Sequence, residues 1–209
     1  MKIQTFLILI ILTPIAFSQG FKVKASGLQT FTFNDKNGRS QATFFSTTPL
    51  EDVRGLTTEI NGSVSFDIKD FAQTLKGKII IPVSSLKTGI TKRDNDMKGS
   101  GWLDEDNYPD ISFTIKKVGK VENVSDNKIK ADIIGDFMVH GVSKEITVEA
   151  TMIYLDENEQ TRQRAPGDLL GVTSTFTITL SDYNIDNIVL GRRVSESIEI
   201  SINFVGSNK

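Results

Sequence analysis

Strict alternation of apolar and polar residues is the feature that most narrows what this chain can fold into. Val172, Ser174, Phe176, Ile178 and Leu180 alternate with Thr173, Thr175, Thr177 and Thr179, and Ile198, Ile200, Ile202 and Phe204 with Glu199, Ser201 and Asn203. The same period runs through Val64, Phe66 and Ile68, and through Leu75, Ile79, Ile81 and Val83. It returns in Ile111, Phe113 and Ile115, in Ile129, Ala131, Ile133, Phe137 and Val139, and in Ile146, Val148, Ala150, Met152 and Tyr154. Successive side chains of a strand point to opposite faces, so each segment has one apolar and one wet side, as antiparallel strands do. Turn residues punctuate the runs: Asn34–Gly38, Asn61-Gly62, Ser125-Asp126-Asn127 and Pro166-Gly167-Asp168. The polar stretch Asp156–Gly167 reads as a flexible loop. About eight long strands with little else to cover their edges are best satisfied by closing into an antiparallel barrel, with a two-sheet sandwich as the alternative.

Alternation fails between Leu86 and Pro109. Thr91-Lys92-Arg93-Asp94 fits a capping box and Gly99 a stop, which predicts a short helix over Lys92–Lys98. Tyr108-Pro109 then returns the chain to extended geometry. A short helical crossover at about 86–107, carrying Met97, Trp102 and Leu103, is placed to plug one mouth of a barrel.

The first 18 residues read as an address. Met1-Lys2 precedes the apolar run Phe6–Leu12, Pro14 breaks it, and Ala16-Phe17-Ser18 sets small residues at a cleavage site before Gln19. The run is too short to span a bilayer comfortably. The expectation is a signal peptide over 1–18, one domain over 19–209 with no integral membrane span, and a periplasmic or secreted product.

Composition removes other classes. The chain has 209 residues, 24 basic against 26 acidic, no cysteine and one histidine. Without cysteine there are no disulfides, thiolate nucleophiles or zinc knuckles. One histidine excludes a multi-histidine metal cage. Near-balanced charge argues against a nucleic-acid partner. Asp94, Asp96, Gly99 and Glu105 match positions of an EF-hand loop, but Lys98 puts an ammonium where a ligand is needed. A solvated acidic loop is the better reading, and no metal or other cofactor is expected. His140 reads as a turn histidine, since no nucleophile signature accompanies it. Arg192-Arg193 and the Arg162/Arg164 pair read as solvated charge that could meet an anionic headgroup at a barrel rim.

Thirteen phenylalanines dominate the aromatics. Phe44, Phe66, Phe113, Phe137, Phe176 and Phe204 fall on apolar strand faces. They fit either a filled core or the wall of a cavity for an apolar ligand, because an eight-stranded barrel can be packed or hollow.

Several motifs carry a family resemblance. Gly89-Ile90-Thr91-Lys92-Arg93-Asp94, Trp102-Leu103-Asp104 and Tyr108-Pro109-Asp110-Ile111-Ser112-Phe113 resemble the YceI-like family in sequence and spacing. So do the stretch Gly135–Val148, similar to that family's middle hairpin, and Ser181-Asp182-Tyr183-Asn184-Ile185. Leu180 stands where the family often has an arginine, Asn184 replaces a glycine, and the family's early histidine has no counterpart.

The resemblance implies an all-β, eight-stranded, lipocalin-like barrel, exported in bacteria, whose interior holds an isoprenoid chain such as a polyprenyl tail or isoprenoid quinone. On that reading Phe44, Phe66, Ile79, Ile81, Phe113, Ile133, Phe137, Val148, Met152, Phe176, Ile178 and Ile200 line the interior, with Trp102 and Tyr108 near a mouth. The protein is then a non-enzymatic carrier. Two rivals stand beside it: an interaction module with a filled barrel and a protein partner, and a lipid hydrolase or isomerase using His140. Oligomeric state is not encoded in any motif.

Overall fold

A computed structural model describes residues 20–35 and 37–209; the predicted signal segment over 1–18 lies outside the described residues. Among the described residues ten strands form one antiparallel sheet: β1 (Leu28–Phe33), β2 (Gln41–Thr47), β3 (Asp52–Thr57), β4 (Asn61–Asp67), β5 (Lys76–Pro82), β6 (Asp110–Ser125), β7 (Lys128–Val139), β8 (Val142–Leu155), β9 (Leu169–Thr179) and β10 (Ser197–Ser207). They make eight barrel positions, because two positions are each filled by two strands in succession. Along one edge of β10, Thr32 of β1 faces Ser207, and Gln41 to Phe45 of β2 face Asn203 to Glu199. On the far side, β4 pairs with β1 and β3 with β2. The barrel therefore closes on itself, which leaves no long free edge.

The alternation read from the sequence is the in–out pattern of the wall. In β7 every second residue, from Ile129 to Val139, is buried. β7 and β8 join through His140 and Gly141, whose φ angles of 51° and 71° are those of a two-residue type I′ turn. Asn61-Gly62, expected as a turn, is instead the start of β4, where Gly62 pairs with Phe33 and Ile79.

The crossover between β5 and β6 is helical, as predicted. Its helix spans Thr91–Lys98, with the shorter α1 (Phe71–Thr74) before it and α3 (Glu159–Arg162) after, so it is α2. The expected capping box is not made: Thr91 is already helical and Ile90 is the N-cap, without a side-chain cap. Asp94 reaches back instead, accepting the N–H and the hydroxyl of Thr88, each at 2.6 Å. The stretch 156–167, expected as a loose loop, carries α3 with a full capping box between Asn158 and Thr161. Glu157 fastens it further by accepting from Arg162 and the Gly167 N–H at 3.0 Å.

The end of the barrel away from α2 is filled. Phe21, Phe31, Phe66, Phe71 and Tyr154 are all at most 3% exposed. Phe66 lies 5.5, 5.7 and 5.3 Å from the rings of Phe21, Phe31 and Phe71. Phe21 is held across this end by its N–H to the Ile68 carbonyl, 3.0 Å. The Tyr154 hydroxyl donates to Asp168 at 2.6 Å, and Asp168 also accepts the Glu157 N–H at 2.7 Å.

Candidate functional site

Above this floor the barrel is hollow. The ring diameter is set by strand number and stagger, so side chains must be long enough to meet on the axis. In the floor aromatic rings do so. Higher up, inward positions such as Ala42, Ala150 and Ser174 are too small, and a cavity of about 710 Å³ remains. Its volume equals on the order of two dozen waters in the bulk liquid.

Most residues singled out from the sequence meet here. Phe44, Ile79, Ile81, Phe113, Ile133 and Phe137 line the cavity, as do Val148, Met152, Phe176, Ile178 and Ile200, with Trp102 from the crossover. Several, including Phe44, Ile79, Phe113, Phe176 and Ile200, are only partly buried, because one side of each faces the void. Phe44 keeps its place because its cross-strand partner is Gly55; a Cβ there would sit 2.1 Å from the Phe44 ring.

Two expected lining residues lie elsewhere. Phe66 has the right parity but the wrong height: it is fully buried in the aromatic floor and does not reach the cavity. Tyr108 lies two residues before β6 and stands outside the cavity, 37% exposed, its ring edge-on to His140 at 4.8 Å. The filled-barrel alternative is also at odds with the structure, since the interior is open. Phe204, one of the phenylalanines expected as core or cavity wall, lines the cavity too, and lining residues that sequence reasoning missed include Phe33 and Val172 of the wall and Ile90, Ile185, Val189 and Val194 at the mouth. Phe33 and Val172 share the parity of their strands; the mouth residues lie in aperiodic segments with no such signal.

The interior offers few polar handles, and two of them are engaged within the wall. The Ser174 hydroxyl donates to the Glu149 carbonyl at 2.7 Å, and Ser46 Oγ accepts the Ser195 N–H at 2.9 Å. No buried side-chain nitrogen or oxygen among the described residues lacks a partner. A guest therefore meets a wall that rewards removal of apolar surface from water and asks for no hydrogen bond.

Charge is confined to the mouth, between α2, the β2–β3 turn and the segment 184–196. Glu51, Lys92, Arg93, Asp96 and Arg193 all border the opening. Arg93 pairs with Glu51 and Lys92 with Asp96, both at 2.9 Å. Asp94 and Asp96 of the EF-hand-like stretch are thus turned to their own neighbours. The hydrogen bond from the Thr88 hydroxyl, aided by its N–H and by Lys98 and Arg93, holds Asp94 below the usual carboxylate range. His140 lies outside the cavity; its Nδ1 donates to the Tyr183 carbonyl at 3.1 Å, which fits a turn histidine rather than a base.

A closed antiparallel barrel with an aromatic floor, an apolar interior and one polar mouth defines a binding-protein barrel of the lipocalin-like class. The chain belongs to the YceI-like family: residues 32–206 match the YceI-like domain. A UPF0312 protein of Vibrio parahaemolyticus is 28% identical over 150 residues, 72% of each chain. Among solved structures, Burkholderia cenocepacia BcnA superposes with a TM-score of 0.65 at 19% identity, covering 82% of this chain and 99% of that one. A polyisoprenoid binding domain from Saccharophagus degradans gives a TM-score of 0.63 at 14% identity, covering 87% and 99%. At these identities the likeness concerns the fold. No helix among the described residues is long and apolar enough to cross a membrane.

Proposed function

We propose that the protein is an exported, non-enzymatic carrier that holds the apolar chain of a lipid, of the isoprenoid class, inside its barrel. The observation that carries this reading is the 710 Å³ cavity, whose wall is made almost wholly of apolar side chains. Each buried methylene of a guest contributes up to about 0.8 kcal/mol, so a long chain binds well with few polar contacts. The polyisoprenoid binding of the Saccharophagus domain supports the isoprenoid class, and the layout of residues 1–18 supports export.

Native mass spectrometry of protein purified from a bacterial host, followed by organic extraction, tests the reading. The expected result is a bound lipid released by solvent, and uptake of isoprenoid quinone or polyprenyl phosphate by the stripped protein. A protein that is both empty and unable to take up either lipid sinks it. N-terminal sequencing of the product from a periplasmic or culture fraction tests export, with a start at Gln19 expected.

A further inference from the structure

The two most exposed large hydrophobic side chains among the described residues are Ile188, 86% exposed, and Leu50, 78%. Both flank the cavity mouth. Leu50 precedes the mouth residue Glu51 in the β2–β3 turn, and Ile188 lies between Asn187 and Val189, which also border the opening. Ile90, at the start of α2 and itself part of the mouth, is 50% exposed. These side chains come from three segments far apart in sequence, yet the segments are fastened around one opening. Arg93 of α2 bridges to Glu51, and Asn187 donates to the Gly101 carbonyl at 3.0 Å. Single exposed aliphatics are ordinary on any surface, and Leu28 and Val124 elsewhere on the barrel are examples. Three arranged around the entrance to an apolar cavity form a rim.

We infer that this rim docks the barrel, mouth down, on an anionic lipid bilayer, with Leu50, Ile90 and Ile188 entering the acyl boundary. The inference rests on the reading of the cavity as a lipid container, and it names where the cargo enters. An apolar chain leaving the cavity into water exposes all its surface, whereas a chain leaving into an acyl layer stays buried throughout. The charges agree. Glu51 and Asp96 are neutralised by Arg93 and Lys92. Arg192 and Arg193, in the same segment as Ile188, have no side-chain partner among the described residues; the acidic group nearest to them in that segment, Glu196, accepts from the Ser181 hydroxyl at 3.1 Å instead. Both arginines are exposed and lie four and five residues from Ile188 in the chain, Arg193 itself bordering the mouth, where anionic headgroups would meet them.

Flotation with vesicles of equimolar phosphatidylglycerol and phosphatidylcholine, and with phosphatidylcholine alone, tests the proposal. The wild-type chain is expected to float with the anionic vesicles. Leu50→Ser and Ile188→Ser should each reduce partitioning about tenfold, since each removes a whole aliphatic side chain from the apolar layer. Arg192→Gln and Arg193→Gln should each remove about fivefold of the preference for anionic vesicles. Leu50→Trp, which enlarges the inserted tip, should strengthen binding. The Leu50 and Ile188 variants should still take up quinone presented in detergent micelles, which reads the container separately. Wild-type protein that loads from micelles but does not float overturns docking and leaves the container standing. Serine variants that float like wild type also overturn it, as does vesicle binding that requires an added protein. Protein that floats but never takes up lipid defeats the container and leaves docking standing.

Discussion

Phe66 and Phe176 have the same side chain and the same inward parity, yet the structure assigns them different work, so truncating each to alanine separates stability from binding. Phe66 is fully buried with three rings within 5.7 Å. Removing it opens a void in packed material, and phenylalanine truncation in such a setting costs about 4 kcal/mol, with aromatic pairs at the high end of the range. Phe176 has one aromatic neighbour, Phe137 at 5.8 Å, and its other side faces the cavity. A side chain bordering a void has no partner atoms on that side, so Phe176→Ala gives up about half as many contacts and costs about 1.5 kcal/mol. For a chain of this size those values translate to about 12 °C and about 4 °C in Tm.

The assay is urea unfolding of lipid-stripped protein, followed by fluorescence of Trp102, the sole tryptophan. Stripping matters because a bound guest adds its own stabilisation. Phe66→Leu serves as a milder variant if the alanine form does not fold. Quinone uptake should show the opposite order: Phe176→Ala weakens it and Phe66→Leu leaves it near wild type. Equal destabilisation by the two alanine variants would mean that the upper barrel is packed in solution, which would refute the half-filled architecture.

Other consequences concern the polar fastenings. Asp35 has a side chain only 7% exposed between Arg39 and Arg164, at 3.3 and 3.0 Å. Burial pushes its pKa up, but hydrogen bonds from Arg39 and the Asn37 N–H, with the two guanidinium charges, outweigh this and leave it lowered. A lowered carboxylate stabilises the fold above its unfolded pKa and stops doing so as pH falls through the folded value. Asp35→Asn should therefore cost about 1–2 kcal/mol at neutral pH, discounted for the partly exposed arginines, and flatten the acid limb of a Tm–pH curve. Burial, reinforced by the Asp168 hydrogen bond, raises the pKa of Tyr154 far above normal. The unfolded chain then releases this proton first, so stability should fall above about pH 10, and Tyr154→Phe should soften that fall while costing about 2 kcal/mol at neutral pH. Gly141→Ala places a Cβ 2.4 Å from the Tyr108 ring at a φ of 71°, so a loss of about 1–2 kcal/mol in thermal unfolding is expected.

Parity, and with it the barrel, was legible in the sequence because most wall segments from β4 onward alternate; β6 is an exception, where shifts in register after Ile115 and Val118 move the inward set to Val118 and Val121. The first strands offer no alternating run, although Phe44 itself reads as inward, and Phe44-Phe45 shows why. Adjacent residues of a strand face opposite ways, so Phe44 turns inward over Gly55 while Phe45 turns outward beneath the Arg54 guanidinium at 4.3 Å. A pair of neighbouring aromatics erases the period that marks a strand. Height along the barrel axis is equally silent in parity. Phe66 and Phe176 both point inward, and only register in the assembled ring sets one in the floor and the other beside the cavity. The mouth was hidden for a third reason: Val189 and Val194 lie in a segment of turns and a lone bridge, where no periodicity applies.

A half-filled barrel resolves a conflict that a uniformly hollow one would face. An apolar cavity forfeits packing on every surface that borders it, so something else must hold eight strands closed. Here the floor does so, with five stacked or edge-on aromatics and the Tyr154–Asp168 bond beneath them. The C-terminal segment joins the same fastening: Asn208 accepts the Asp168 N–H at 2.8 Å. Stability and capacity thereby occupy different heights of the same strands. Substitutions among Ile79, Phe176 and Ile200, partly buried beside the void, can reshape the cavity at modest cost to the fold, whereas the floor positions tolerate little change. Diversity of guests within such a barrel should accordingly be written in the upper wall and the rim.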